Sequence, residues 1–100
     1  MVDREKVLCE TPTPGKQPTR IDRWKYDLLR SAILAILREE EQGLSFQEVA
    51  GRIQSRLSPA ELEQLGSLGW YTTTVKLDLE VKGEIERIPG KRPQHLRLGR

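Results

Sequence analysis

The chain has 100 residues, 36% hydrophobic and 32% charged, with a formal net charge of +2 at pH 7. That length supports one modest core and not two. No stretch is long and apolar enough to span a membrane, and residues 1–20 are too polar for a signal peptide, so a cytoplasmic location is expected. The one cysteine, Cys9, excludes an internal disulfide. Zinc needs four ligands, and Cys9 and His95 are the only soft ones, so neither metal nor cofactor is expected.

Residues 1–20 read as an extended Pro-rich N-terminal arm, and 21–100 as the folded domain. Pro12, Pro14, Gly15 and Pro18 bar residues 10–19 from helix or central strand. A first helix, capped by Thr19 or Asp22, runs to about Gln42. Tyr26, Leu29, Ile33, Ile36 and Leu37 recur on its apolar face at helical spacing. Asp27, Arg30, Ser31, Arg38 and Glu41 lie opposite, where Leu34 is out of place unless it touches the arm or a second subunit. Gly43 closes the helix.

Ser45-Phe46-Gln47-Glu48 is a capping box, with Leu44 and Val49 placed as a hydrophobic staple. Phe46, Val49, Ala50, Ile53 and Leu57 then form one apolar face. Ser58-Pro59-Ala60-Glu61 repeats the device with proline at the first helical position. A short helix follows to about Leu65. A third long helix runs from Trp70 to Lys82, with Tyr71, Thr72, Val75 and Leu79 on its buried face and Trp70, Leu77 and Val81 on an adjacent one. Gly83 ends it. Two alternating segments, residues 84–88 and 94–98, flank Pro89-Gly90-Lys91-Arg92-Pro93 and predict a hairpin with a basic tip. Ile85, Ile88, Leu96 and Leu98 are its inward candidates.

The predicted fold is mainly α (α+β): a winged helix-turn-helix with three long helices, a short connecting helix and a C-terminal β-hairpin wing. Leu44 is placed to add a short third strand. The segment from Val75 to Arg87 resembles many winged-helix regulators where the recognition helix ends, with Leu79, Gly83, Ile85 and Arg87 as the matching positions. A wider set of blocks covers nearly the whole chain: Thr11-Pro12-Thr13-Pro14-Gly15-Lys16, Ile21-Asp22 with Lys25-Tyr26-Asp27, Gly69 through Glu80, and Ile85-Glu86-Arg87 with Pro93 and Leu96. These blocks resemble a small bacterial domain-of-unknown-function family of about 100 residues. The resemblance implies a winged-helix-like architecture and carries no activity or residue roles.

Two functions follow as expectations. The first is binding to double-stranded DNA, transcription-related, with the last long helix in the major groove and the wing on the backbone. Tyr71, Thr73, Thr74 and Lys76 are the helix candidates, and Lys91 and Arg92 the wing candidates. Against it, residues 68–82 are neutral overall and hold no arginine or asparagine for bidentate base reading; the basic excess lies in residues 83–100. The alternative is a protein-docking domain that uses Trp70, Leu77 and Val81, since tryptophan and tyrosine are favoured interface anchors. An enzyme is not expected: Gly66-Ser67-Leu68-Gly69 lacks the lysine and serine or threonine of a phosphate loop, and no acidic pair sits in a catalytic pattern. The assembly expected is a monomer or homodimer.

Overall fold

The computed structural model describes residues 5–99. Its elements, in order, are β1 (Lys6–Cys9), β2 (Thr19–Asp22), α1 (Arg23–Glu39), β3 (Leu44–Ser45), α2 (Phe46–Arg56), α3 (Pro59–Leu65), α4 (Leu68–Val81), β4 (Ile85–Arg87) and β5 (His95–Leu98). The fold is α+β, with four helices and two small antiparallel sheets among the described residues.

The apolar stripe of α1 organises the core. Tyr26, Leu29, Ala32, Ile33, Ile36 and Leu37 are all buried, each large aliphatic side chain contributing about 1.5–3 kcal/mol on leaving water. Val49 and Ile53 of α2, Leu65 of α3, and Val75 and Leu79 of α4 close on that stripe. Leu34 packs on the core's margin, so its position on the polar side of the helical wheel needs no partner subunit.

The caps place three helix starts. Ser45 Oγ accepts the Glu48 N–H at 3.2 Å. At α3 the box is reciprocal: Ser58 Oγ accepts the Glu61 N–H at 3.1 Å, and Glu61 Oε1 accepts the Ser58 N–H at 2.9 Å. Ser67 Oγ accepts the Trp70 N–H at 3.3 Å, so α4 starts two residues before the predicted Trp70. At α1, Thr19 lies in β2, and Asp22 takes the N-cap position without a side-chain cap bond. Its carboxylate is held by Lys6 across the hairpin instead. The helix ends at Glu39, not Gln42, because Gly43 stands at φ +88° and the chain has already turned. A Cβ at Gly43 would lie 2.5 Å from the Leu96 carbonyl oxygen, so glycine is needed there for space and for conformation.

The C-terminal strands form the expected hairpin, with Ile85 opposite Leu98 and Arg87 opposite Leu96. β3 adds on the other side of β5, with Leu44 opposite Leu96, giving the order β3-β5-β4. Ile85 and Leu96 are buried; Ile88 and Leu98 are half-buried.

One expectation needs correction. The helices are not three long and one short: α2 has only 11 residues against 17 in α1 and 14 in α4. The N-terminal segment lies against the rest of the chain as a hairpin. Residues 6–9 pair with 19–22, Lys6 opposite Asp22 and Cys9 opposite Thr19, and the predicted boundary at residue 20 falls inside β2. Cys9 and Ile21 enter the core. The prolines occupy the loop between the strands, where their missing N–H groups break no ladder.

Candidate functional site

The outward face of α4 and the β1–β2 loop form the two sides of one cleft. Trp70, Thr73, Thr74 and Leu77 contribute from the helix; Cys9, Glu10, Thr11, Lys16, Gln17 and Thr19 contribute from the hairpin. The enclosed space is about 260 Å³. A more open cleft of about 720 Å³ lies where Pro12, Thr13 and Pro14 face Glu80, Gly83, Ile85 and Arg87.

The hairpin is tied to α4 through a buried carboxylate. Asp78 is 0% exposed. Its Oδ2 accepts the Tyr26 hydroxyl and the Lys82 ammonium, each at 2.6 Å, and its Oδ1 accepts the Glu10 N–H at 3.0 Å. Burial alone raises the carboxyl pKa, but the hydrogen bonds from Lys82, Tyr26 and the Glu10 amide outweigh it and hold the group below its ordinary value. The neighbours respond in kind. Burial and the bond to Asp78 push Tyr26 up to about 12. Burial, then the Asp78 charge, pushes the Cys9 thiol up to about 11, so Cys9 is neither thiolate nor nucleophile at neutral pH.

A second pairing consumes the rest of the helix charge. Lys76 is only 4% exposed, with its ammonium 3.0 Å from Glu80 and 5.2 Å from the Phe46 ring centroid. Arg87 of β4 also pairs with Glu80. Burial lowers the Lys76 pKa, and Glu80 opposes that shift. Lys76 was expected to meet DNA and does not face outward. Thr72, four residues earlier, and Leu79, three later, set the buried stripe on which it lies. Tyr71 is likewise redirected. It is half-buried, and its hydroxyl accepts the Lys25 ammonium at 3.1 Å while that ammonium sits 4.3 Å from the ring centroid.

The remaining candidates are on the surface to differing degrees. Thr73 is exposed; Thr74 is half-buried and its hydroxyl donates to the Trp70 carbonyl at 2.8 Å. Lys91 and Arg92 are exposed at the tip of the β4–β5 hairpin, well apart in sequence from α4, and pair with no carboxylate among the described residues. Trp70 is 49% and Val81 41% exposed, and Leu77 is half-buried along the cleft. α4 thus presents a neutral outward face, with Trp70 and Leu77 toward the cleft.

Sequence reasoning missed three parts of this face. Trp24 was not singled out, yet the Lys25 ammonium lies 5.6 Å from its ring centroid, and Tyr71 meets Trp70 edge-on at 4.9 Å. Two aromatic rings therefore meet one lysine, and a third, Trp70, stacks edge-on against one of them. The loop residues Glu10, Lys16 and Gln17 gave no periodic signal, since only the hairpin's closure brings them to α4. Asp78 did have a signal: it falls three residues after Val75 and four before Lys82, on the flank of the buried stripe. Among the described residues no three His, Cys, Asp or Glu side chains converge as a metal site, and no helix is long and apolar enough to cross a membrane.

Residues 6–96 match the model of a family of unknown function (DUF6958). No curated protein matches, and no solved structure does.

Proposed function

The chain belongs to that family, DUF6958, and from that premise we propose that it is a winged-helix binding module whose partner is a protein, engaged through the outward face of α4 and the adjoining hairpin loop. The element order supports the winged-helix reading. α1, the short β3, α2, α4 and the β4–β5 hairpin follow in the sequence of a winged helix-turn-helix, with β3 beside β5 and α3 as an extra turn between the two helices of the motif. Fold alone does not decide function; the face does.

The observation that carries the protein reading is the fate of charge on α4. Lys76, Asp78, Glu80 and Lys82 are all committed to pairs within the chain, while Trp70 stays half-exposed beside Leu77 at a cleft. A major-groove helix needs cations and bidentate donors on its outward side. A docking helix needs an aromatic anchor beside a pocket with a polar rim.

The direct test is photocrosslinking in the native host, with a benzophenone amino acid at position 73 and a control at the exposed Gln54 of α2. A discrete protein adduct at position 73 and none at 54 is the expected result. Adducts to DNA at position 73 would overturn the reading.

One observation favours a second reading: Lys91 and Arg92 stand exposed on the hairpin tip, with no carboxylate partner among the described residues. Two such cations support weak, salt-sensitive contact with the phosphates of duplex DNA. Anisotropy titration of a labelled duplex at low salt tests it. Binding that disappears in Lys91→Ala/Arg92→Ala is expected on that reading; no binding at high micromolar protein removes it.

A further inference from the structure

We infer that two copies of this chain associate through β1, edge to edge and antiparallel, about a twofold axis at Val7. The surface is not the α4 cleft: Lys6 and Leu8, whose backbone groups carry the pairing, do not line it. The two readings therefore stand or fall separately.

The register of the hairpin fixes which backbone groups are left over. In an antiparallel pair, alternate residues turn their N–H and C=O to the partner strand and the others turn them away. The Arg23 N–H donates to the Glu5 carbonyl at 2.9 Å, in phase with Lys6 opposite Asp22. Glu5, Val7 and Cys9 therefore bond toward β2, and Lys6, Leu8 and Glu10 turn to the open edge. The Glu10 N–H is taken by Asp78 at 3.0 Å. Among the described residues nothing bonds the backbone N–H or C=O of Lys6 or Leu8. Both residues are exposed, and the Leu8 side chain stands 45% exposed on that edge. An unpaired edge that carries an exposed apolar side chain is a template for another strand. The opposite edge of the hairpin is guarded. β2 turns outward at Arg20, which is charged, and at Asp22, which already N-caps α1.

Those open groups fit a second copy of the same strand. A twofold axis at Val7 sets Lys6 of each copy opposite Leu8 of the other, as hydrogen-bonded pairs. The N–H and C=O of Lys6 and Leu8 are then all satisfied in both copies, and no residue beyond the strand is needed. The side chains agree with this register. Val7 meets Val7 of the second copy as the non-hydrogen-bonded pair, where Cα atoms are about 4.5 Å apart and β-branched side chains touch. Leu8 lies along the stem of Lys6 from the other copy. No like charges fall directly opposite. Lys6 is already neutralised by Asp22 and Glu5 by Arg23, and Glu5 comes opposite Cys9. The product is one sheet in the order β2-β1-β1-β2, in which two hairpins, each marginal as a two-stranded unit, support one another. So short an edge buries far less than the roughly 800 Å² per partner of a standard interface, so the dimer is weak.

The test uses the full chain, with sedimentation velocity across concentrations up to the millimolar range and amide hydrogen exchange at the two ends of that range. A monomer–dimer equilibrium is expected, with a dissociation constant on the order of 10⁻⁴ M. The Lys6 and Leu8 amides should gain protection as the dimer forms. The Val7 and Cys9 amides, already bonded to β2, should be protected throughout. Leu8→Lys sets a second ammonium opposite Lys6 and should weaken the dimer about tenfold or more. Leu8→Val keeps an apolar strand-former at the edge and should retain it. Leu8 is exposed, so neither change touches the core.

Several results overturn the inference. A chain that stays monomeric into the millimolar range refutes it. So does a dimer that forms without protecting the Lys6 and Leu8 amides, or that survives Leu8→Lys unchanged, since either uses another face. If those two amides gain protection only when a capped strand peptide of alternating threonine and valine is added, the occupant is a different chain and the twofold pairing fails. None of these outcomes bears on the α4 cleft, which the adduct at position 73 tests by itself.

Discussion

Replacing Asp78 with alanine removes the acceptor on which β1, α1 and α4 converge. The carboxylate takes three donors: the Tyr26 hydroxyl, the Lys82 ammonium and the Glu10 N–H. The Tyr26 hydroxyl is buried and loses its acceptor, which costs about 1–3 kcal/mol. The part-buried Glu10 amide adds about 1 kcal/mol. Lys82 costs little, because its side chain is already 45% exposed and turns into water. Breaking a fully buried pair costs about 3–5 kcal/mol, and the freedom of Lys82 places this case near the lower end, at about 3 kcal/mol. In a domain of this size that lowers the melting temperature by roughly 12–24 °C.

Chemical denaturation of the wild type, Asp78→Ala and Tyr26→Phe measures it, with the double variant giving the coupling. A cost for Asp78→Ala below about 1 kcal/mol would refute the reasoning, because it would mean that neither the hydroxyl nor the amide depends on the carboxylate. The same site predicts an acid limb. The folded-state pKa of Asp78 lies below its ordinary 3.8. Its stabilisation is therefore present above the unfolded value and is lost as the pH falls through the folded one. Asp78→Asn should remove that limb from a plot of stability against pH below about 4.

Three further outcomes follow from other parts of the fold. Cys9 is buried with its thiol pushed up to about 11, so iodoacetamide should label it slowly in the native protein at pH 7.5 and rapidly in denaturant; equal rates would contradict its place in the core. Ser58→Ala removes one half of a reciprocal cap and should cost about 1 kcal/mol in urea denaturation, whereas Gln54→Ala on the exposed side of α2 should be nearly neutral. Gly43→Ala puts a Cβ into the Leu96 carbonyl at a positive φ. It should destabilise by more than the roughly 1 kcal/mol of the backbone preference alone, read as a lowered denaturation midpoint.

The helices of this protein are written in short-range signals, and short-range signals survive without tertiary context. Ser45 and Ser58 each bond an amide three residues on, so the starts of α2 and α3 depend only on neighbouring residues. The stripe of α1 and the alternation of β4 and β5 are equally local, and the β3–β5 pairing was legible from Leu44 once the hairpin was in place. The family resemblance was legible in the same blocks. The candidate face was less so. Trp70, Thr73 and Leu77 were found on the outward side of the last helix, but Lys76 and Tyr71 were placed there too.

What only the tertiary structure decided is where charge and proline went. Periodicity treats a lysine as an outward residue, yet Lys76 is buried because Glu80 and the Phe46 ring meet its ammonium from the same helix and from α2. Asp78 is buried because Tyr26, fifty-two residues away, and the Glu10 amide, sixty-eight away, satisfy it. No local window contains those partners. The arm posed the same problem. Its prolines exclude helix and central strand, which left an extended segment as the local answer. Long-range pairing of β1 with β2 folded it back onto α4, and so made the wall of the cleft on which the proposed function rests.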